Sequence, residues 1–400
     1  MIKRLMLSGA VLVLVAATRA PNSPDRLTVH EWGTFTTVAG QDGRATPWLP
    51  LDGPTDLPCF VEHFQNLRLV KIAPGMEQPV SYADTRAKLW AKVRMETPVI
   101  YLYGPQRDVN VSVRFPRGWM TEWYPHAAVQ QPWVTRATLA ETNHTSVIVW
   151  NNVHLEPASK SSLPTGIGES HYYAARNTEA TPLRVGNQSE KFLFYRGVAD
   201  FDIPLSATPT ANGGVHLTNT GDRLSGVVLF ERRGDRMGFR VLDTLGRDAD
   251  IDAPSLNANL GQLRAQLEQQ LLRAGLYGRE ATAMLDTWRD SWFEEGLRVF
   301  YVVPRRSVDA ILPLTVQPTP DSVARVFVGR MEVITPRDLQ TVDRAVTTND
   351  STLLRPYGRF LGAIADRLLA STPNADKANR IRRVTDAALA TYVRRADRCE

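Results

Sequence analysis

The sequence contains little cysteine and little net charge. Of its 400 residues only Cys59 and Cys399 are cysteines, too few for an all-cysteine zinc site or a disulfide-rich scaffold. The 47 basic and 42 acidic side chains leave a net charge of +5, which does not indicate the basic surface that nucleic-acid binding requires. Internal repeats and low-complexity tracts are also missing. These features indicate an ordinary globular protein with no nucleic-acid partner.

One apolar run has a special position, at the start of the chain. Lys3 and Arg4 precede the apolar segment 5–17, and Ala20 is the small residue that a signal peptidase requires. The segment is shorter than the ~20 residues of a membrane-spanning helix. We therefore predict a signal peptide at residues 1–20, export to the periplasm or the extracellular space, and no stable membrane span after cleavage.

The state of the two cysteines depends on the compartment, because an oxidising compartment favours disulfide formation. Cys59 and Cys399 can form one disulfide that closes nearly the whole exported chain. The alternative is two unpaired thiols, one of them buried and the other at the end of the chain. The sequence leaves both arrangements open.

Residues 21–254 are predicted to form an antiparallel β-rich domain, arranged as a sandwich or an open barrel. The strand segments combine β-branched and aromatic residues, and frequent proline and glycine separate them. A hairpin is predicted at residues 226–243, because Gly234 and Asp235 suit the two central positions of a type II′ turn. The other local predictions are a second hairpin at residues 212–217 and one helix near residues 82–92.

Residues 255–400 are predicted to form a mixed half, so the whole chain is assigned to the α+β class. After Pro254 the spacing of apolar residues changes to the three-to-four pattern that is typical of helices. Two such segments in succession predict an αα-hairpin. The assigned segments are helices at 256–275 and 281–296, strands at 297–303 and 323–334, and two terminal helices at 353–368 and 381–392.

All seven histidines lie between His30 and His216, and several have a carboxylate beside them. On a strand, residues two apart share a face, so His154 and Glu156 can present an imidazole and a carboxylate together. These groups bind zinc and non-haem iron, and a metal-bound water is a nucleophile at neutral pH. We therefore hypothesise an exported metal-dependent hydrolase that uses a divalent metal such as zinc and acts on a small molecule or a glycan. The predicted metal ligands are His30, Glu31, His154 and His171, and the predicted catalytic residues are Glu122, Glu169, Tyr172 and Arg176.

In this hypothesis a glutamate takes a proton from water, and Tyr172 or Arg176 stabilises the developing anion. Complete motifs are missing, since the sequence contains no HExxH, zinc-deaminase, nucleophile-elbow or phosphate-loop pattern. The competing interpretation gives each histidine a hydrogen-bonded structural or surface role.

A group of tryptophans supports a different class of function. Trp119, Trp123 and Trp133 surround Glu122 in a stretch whose prolines predict an irregular loop. Sugar rings stack on such aromatic side chains. The alternative hypothesis is therefore a non-catalytic binding protein that recognises a glycan or a protein through these three tryptophans. The competing interpretation of these tryptophans is that they fill the core of a β-sandwich. A third possible function is that of a structural protein of the cell envelope, which would show neither a convergent histidine and glutamate site nor exposed tryptophans.

Six short segments carry a resemblance that extends over most of the chain. They are 30–36 (HEWGTFT), 96–101 (ETPVIY), 121–125 (TEWYP), 171–176 (HYYAAR), 190–197 (EKFLFYRG) and 287–296 (TWRDSWFEEG). With these segments the chain resembles a family of uncharacterised exported bacterial proteins. The resemblance implies export and a shared fold, and it implies no activity, substrate or catalytic residue.

Overall fold

Strands form most of the structure. The computed structural model describes residues 25–51, 57–64, 69–73, 76–79, 89–132, 144–166, 170–289 and 291–396. These residues form an α+β fold, as predicted. The strands are β1 (Thr28–Ala39), β2 (Glu62–His63), β3 (Leu69–Ala73), β4 (Met76–Pro79), β5 (Val93–Tyr103), β6 (Arg107–Pro116), β7 (Gly118–Tyr124), β8 (Ala128–Gln130), β9 (Thr145–Leu155), β10 (Leu183–Val185), β11 (Gln188–Glu190), β12 (Leu193–Ala199), β13 (Leu205–Pro209), β14 (Val215–Asn219), β15 (Leu224–Arg233), β16 (Arg236–Leu245), β17 (Asp248–Ile251), β18 (Gly296–Val302), β19 (Leu314–Gln317) and β20 (Ser322–Val333).

Helices are concentrated in the second half of the chain. The α-helices are α1 (Leu260–Arg273), α2 (Gly278–Thr287), α3 (Arg305–Ile311), α4 (Pro336–Thr348), α5 (Leu361–Ala370) and α6 (Ala375–Ala396). A first 3₁₀ helix spans His171–Arg176 and a second spans Ser351–Phe360. Among the described residues, no helix is both long and apolar enough to cross a bilayer.

The central sheet has nine strands in the order β16-β15-β18-β20-β1-β5-β12-β7-β2. Its neighbouring strands are antiparallel except for β1 and β20, which run parallel along the whole length of β1. All twelve residues of β1 are buried. A strand with sheet neighbours on both edges and packed layers on both faces has this burial. Strand β1, which carries the predicted site residues His30 and Glu31, therefore lies at the centre of the fold.

A second, six-stranded sheet packs on one face of the central sheet. Its order is β11-β10-β9-β6-β19, and β8 also pairs with β9. Val109, Val111 and Val113 alternate along β6 and share a core with Phe35 of β1. A third sheet, β13-β14-β17, contributes to the same core. The predicted sandwich-like arrangement is thus present, and we call this side of the central sheet its sandwich face.

Helices cover the opposite side, which we call the helix face. The αα-hairpin of α1 and α2 and the first 3₁₀ helix pack on an aromatic core that includes Trp32. Helices α4 to α6 and the second 3₁₀ helix form another core, where the Trp48 and Phe360 rings stack with centroids 5.4 Å apart. Between these two cores β1 carries Thr34 and Thr36, so the middle of the helix face is polar.

Both predicted hairpins are confirmed. In the hairpin of β15 and β16, Arg233 pairs with Arg236, and Gly234 between them has a φ of 62°. The positive φ at the first central position is what a type II′ turn requires and what glycine adopts without strain. The second hairpin joins β13 and β14, where Gly213 has a φ of 82°.

The αα-hairpin, the two C-terminal strands and the two terminal helices are confirmed with different bounds. Helix α1 begins at Leu260, not at residue 256, because the Asn259 side chain accepts a hydrogen bond from Gln262 N and caps the helix there. Helix α2 ends at Thr287, whereas the prediction extended it to residue 296. The sequence analysis also missed α3 and α4.

The boundary predicted at residue 254 does not separate two sheets. Strands β18 and β20 come from the C-terminal part and lie inside the central sheet, between β15 and β1. The two parts of the chain therefore share one sheet. The signal peptide at residues 1–20, Cys399 and most of the helix expected near residues 82–92 lie outside the described residues, so these predictions stay untested.

Candidate functional site

The six segments on which the predicted family resemblance rests border the helix face. Four of them lie on the adjacent strands β1, β5, β12 and β7. The fifth forms the first 3₁₀ helix, which packs on α2, and the sixth joins the end of α2 to β18. Segments that are far apart in the sequence thus border one region, which makes the helix face the candidate functional site.

Adjacent strands are irregular at the same level of the helix face. The register between β1 and β5 shifts after Trp32, and that between β5 and β12 shifts after Phe194. On β5, buried Thr97 has a φ of 42°, which a β-branched residue rarely adopts. Its hydroxyl accepts hydrogen bonds from Arg196 Nε at 3.1 Å and Nη2 at 2.9 Å. Bulges and strained residues occur preferentially at functional sites, so this observation supports the same region.

His30 lies near one end of the helix face, between β1 and α2. Its Nδ1 is 2.8 Å from Glu280 Oε2, and its ring packs on that of Tyr277 with centroids 4.3 Å apart. When the Glu280 carboxylate is ionised it only accepts hydrogen bonds, and His30 Nδ1 is then the donor of this contact. No described residue forms a hydrogen bond with His30 Nε2. The second ring nitrogen therefore remains able to accept a proton.

Glu280 is completely buried, and donors surround its carboxylate. Besides His30, the Tyr103 hydroxyl donates to Oε1 at 2.7 Å and the Tyr277 backbone N–H donates to Oε2 at 2.8 Å. Burial and the charge of Glu280 raise the pKa of Tyr103 well above its ordinary value, so its hydroxyl keeps the proton that it donates. Among the described residues, His30 is the only basic side chain within 4 Å of the Glu280 carboxylate. This pairing of a fixed imidazole with a buried carboxylate suits a general base.

Two hydroxyl groups lie close to His30 at the start of β1. Thr28 precedes His30 by two residues and therefore shares its face of the strand. Thr28 Oγ1 is 2.9 Å from Ser322 Oγ on β20, and Ser322 is exposed. The side chain of His30 itself is 6% exposed. The imidazole thus lies just beneath the protein surface and beside polar groups.

The predicted metal ligands do not converge. His30 and Glu31 are consecutive on β1 and point to opposite faces, and Glu31 binds Arg325 on the sandwich face. His154 lies on β9 of the second sheet, where its Nδ1 is 2.7 Å from Asp108 Oδ1. No three histidine, cysteine, aspartate or glutamate side chains are grouped for metal binding anywhere in the described ranges. The described residues therefore do not bring His30, Glu31 and His154 together around one ion, and metal binding stays a prediction.

Tyr172 and Arg176, two of the predicted catalytic residues, are brought together by Glu190. Arg176 Nη2 is 2.6 Å from Glu190 Oε2, and the Tyr172 hydroxyl donates to the same oxygen at 3.1 Å. Burial raises the pKa of Glu190 against the opposing effect of Arg176. The guanidinium is thus engaged by a buried carboxylate. His171 begins the same 3₁₀ helix, and Glu169 lies outside the described residues.

The loop predicted around Glu122 is a buried strand. Trp119 and Trp123 belong to β7 and are 4% and 8% exposed, and Glu122 between them is 5% exposed. The prediction was wrong because the adjacent prolines lie beyond this stretch, which pairs with β12 on one edge and β2 on the other. The two tryptophans therefore pack in the core and do not present a sugar-binding surface. Trp133 lies outside the described residues.

Two acidic residues at this site were not predicted. Glu280 occupies the third position of α2 and accepts a hydrogen bond from Tyr277 N, so its sequence signal is that of a helix cap. Glu190 ends β11 and has no spacing that identifies it. His30 and Glu280 are 250 positions apart in the sequence. Local patterns do not report a contact over that separation.

Comparison with known proteins adds no family to this description. No family model matches the chain, and no curated protein is similar to it. The family resemblance therefore stays a prediction. Function has to be argued from the side chains of the helix face.

Proposed function

We propose that this protein is an exported hydrolase in which His30, oriented by Glu280, is the general base. The hydrogen bond of 2.8 Å between His30 Nδ1 and buried Glu280 carries the proposal, because it leaves Nε2 as the proton acceptor. A carboxylate that fixes one nitrogen of an imidazole prepares the other for proton transfer. Export rests on the predicted signal peptide at residues 1–20.

In the proposed reaction His30 activates water towards an ester. Nε2 removes a proton from water while the oxygen attacks the carbonyl carbon. The imidazolium then gives this proton to the alcohol oxygen as the C–O bond breaks, which leaves an acid, an alcohol and neutral His30. The carboxylate of Glu280 stabilises the transient imidazolium, and the Tyr103 hydroxyl holds that carboxylate in position.

The surroundings of His30 support access by a polar substrate. The exposed Ser322 hydroxyl and its partner Thr28 lie at the beginnings of β20 and β1, and Thr28 is two residues from His30 on the same face of the strand. These hydroxyls can donate hydrogen bonds to substrate oxygens. The rings of Tyr103 and Tyr277 flank the imidazole and limit its movement.

Hydrolysis of chromogenic nitrophenyl esters of short acids by the protein without residues 1–20 tests the proposal. We expect His30→Gln to lower kcat/KM by about 100-fold and Glu280→Gln to lower it less, because general-base catalysis contributes at least about that factor. His154→Gln is the matched control. His154 also pairs with a carboxylate through Nδ1, but its partner Asp108 is exposed and both residues lie on the other sheet. Circular dichroism verifies that each variant folds.

Two results would contradict the proposal. One is hydrolysis no faster than in buffer, and the other is a folded His30→Gln variant with wild-type kcat/KM. Export has a separate test: protein recovered outside the cytoplasm should begin after residue 20. The zinc-dependent and glycan-binding hypotheses have less support, because the first needs ligands that lie on different sheets and the second needs tryptophans that are buried.

A further inference from the structure

Five buried arginines lie in the polar middle of the helix face and its border. We call this group the arginine cluster, and none of its members is more than 9% exposed. They come from β5, β12, β18, β20 and the second 3₁₀ helix. The members are Arg94, Arg196, Arg298, Arg330 and Arg359. Arginines are seldom fully buried without partners, so the partners of each one indicate its role.

Two carboxylates neutralise part of the arginine cluster. Glu332 contacts Arg298 Nε at 2.9 Å and Nη2 at 3.1 Å, and backbone carbonyls accept further bonds from the same guanidinium. Glu96 contacts both Arg94 and Arg359. Burial alone would raise the pKa of Glu96, but the surrounding arginines hold it below its ordinary value, so Glu96 is ionised. These contacts are structural ion pairs.

Arg330 is paired less completely. Among the described residues, its Nη2 approaches two carboxylates, at 3.3 Å from Glu294 Oε2 and 3.5 Å from Glu332 Oε2. Its Nε and Nη1 are buried and have no hydrogen-bond partner in the described part of the protein. The Phe360 ring lies 4.7 Å from Arg330 Cζ and covers the guanidinium. A fully buried cation thus keeps two nitrogens, Nε and Nη1, whose three N–H groups are unused.

Thr34 and Thr36 add two unused hydroxyls beside Arg330. Both residues are 0% exposed, and neither Oγ1 has a hydrogen-bond partner among the described residues. They share one face of β1, and Thr36 lies directly opposite Arg330 in the register of β1 and β20. Nearly all buried polar groups in native proteins have partners, so this group of unused donors on two neighbouring strands indicates a ligand.

We propose that Thr34, Thr36 and Arg330 bind a small oxyanion, the chemical group shared by phosphate, sulfate and carboxylates. The anion accepts hydrogen bonds from both hydroxyls and from the guanidinium, and its charge compensates that of Arg330. Burial and nearby Arg298 lower the pKa of Arg330, and a bound anion opposes both effects. A bound water molecule satisfies the hydroxyls but adds no negative charge to the two contacts, of 3.3 and 3.5 Å, that Arg330 makes with Glu294 and Glu332. This site does not depend on the proposed hydrolase activity of His30.

The double variant Thr34→Val/Thr36→Val tests the proposal, because valine keeps the shape of threonine and removes the hydroxyl. The protein without residues 1–20 is refolded from urea in chloride buffer, alone or with millimolar phosphate, sulfate or acetate at constant ionic strength. Refolding with the anion present removes any dependence on access to the buried site. Saturation with the preferred anion should raise the melting temperature of the wild type by about 2 °C or more. The double variant should show no such rise.

A second measurement separates binding from a structural role. In chloride buffer the double variant should melt no lower than the wild type, since it no longer buries unpartnered hydroxyls. Thr37→Val is the control, because Thr37 is buried on the same strand but on the sandwich face, where its hydroxyl donates to the backbone carbonyl of Arg330 at 3.4 Å and not into the proposed site. It should keep the anion response. General salt effects shift all variants equally. A wild type without an anion-specific rise, or a double variant that keeps the rise, overturns the proposal.

Discussion

His30 and Glu31 are consecutive residues, yet their side chains lie on opposite faces of the central sheet and bind different partners. His30 contacts Glu280 beneath the αα-hairpin, whereas Glu31 contacts Arg325 on the sandwich face. Alternation along an extended strand separates them. Each contact joins β1 to a residue at least 250 positions further along the chain. The two pairs therefore connect the start of the fold to its end, and they have different consequences when they are broken.

Glu31→Gln should destabilise the protein strongly. Glu31 is 0% exposed, and the substitution removes the main counter-charge of Arg325, whose other carboxylate partner, Asp309, is half-exposed. Breaking a buried ion pair on one side costs about 3–5 kcal/mol, because the remaining charge stays buried. Urea unfolding followed by circular dichroism measures this loss in the free energy of unfolding.

A double variant identifies the cause of that loss. Glu31→Leu/Arg325→Met removes both charges, so it should unfold at a higher urea concentration than Glu31→Gln. Glu156→Gln is the control, because the Glu156–Arg184 pair is partly exposed and should contribute no more than about 1 kcal/mol. A Glu31→Gln variant as stable as Glu156→Gln contradicts the assignment of Glu31 to a buried ion pair.

The stability of the protein should fall in acid partly through Glu96. The surrounding arginines hold the pKa of this carboxyl below the ordinary value of 4.5 in the folded state. A depressed pKa means that the stabilisation is fully present above about pH 4.5 and is lost as the pH falls through the folded-state pKa. Each unit of difference between the folded and unfolded pKa corresponds to about 1.4 kcal/mol.

The comparison with Glu96→Gln isolates this contribution. Burial raises the pKa of Glu190, which acts with the opposite sign, so the wild-type curve alone contains both effects. The difference in the free energy of unfolding between the wild type and Glu96→Gln should be largest near neutral pH and should shrink below pH 4.5. A difference that is constant with pH shows that Glu96 is not ionised in the folded protein.

Local signals in the sequence predicted most elements of this fold. The turn at Gly234 and the apolar spacing of α1 are contained within short windows, and both features were found. Helix α4 also has a local signal, since the Thr335 side chain accepts a hydrogen bond from Asp338 N and Pro336 follows the cap. The sequence analysis ended the preceding strand at residue 334 and assigned no element to the stretch that contains this signal.

The candidate site was less predictable, for a physical reason. His30 and Arg176 were identified as polar residues with suitable chemistry, but their partners Glu280 and Glu190 come from elsewhere in the chain. The parallel pairing of β1 with β20 places residues 294 positions apart side by side, and no local periodicity encodes such a pairing. The sequence analysis paired histidines with carboxylates that are close in the sequence, such as His30 with Glu31. Because side chains alternate along a strand, His30 instead pairs with Glu280 on the helix face.

Iodide should quench the fluorescence of Trp90 and should not quench that of Trp119 or Trp123. Trp90 is 49% exposed, whereas the other two are buried in β7. Trp90→Phe should therefore remove a large part of the fluorescence that iodide quenches, and Trp119→Phe should leave that part unchanged. Trp133→Phe is measured alongside, because Trp133 lies outside the described residues. If Trp119→Phe instead removes a large part of the fluorescence that iodide quenches, the buried position of Trp119 is contradicted and the sugar-binding hypothesis is supported.

Protein recovered from an oxidising compartment should contain one disulfide between Cys59 and Cys399. An oxidising compartment favours pairing of the two cysteines, and the loop that they close includes most of the chain. Closing a loop of this length stabilises the folded state by more than about 4 kcal/mol in the chain-entropy model. Thiol labelling after unfolding without reductant should detect no free cysteine, and reductant should lower the melting temperature. Cys59→Ser should show the lower melting temperature without reductant, whereas two labelled thiols in the exported wild type exclude the pairing.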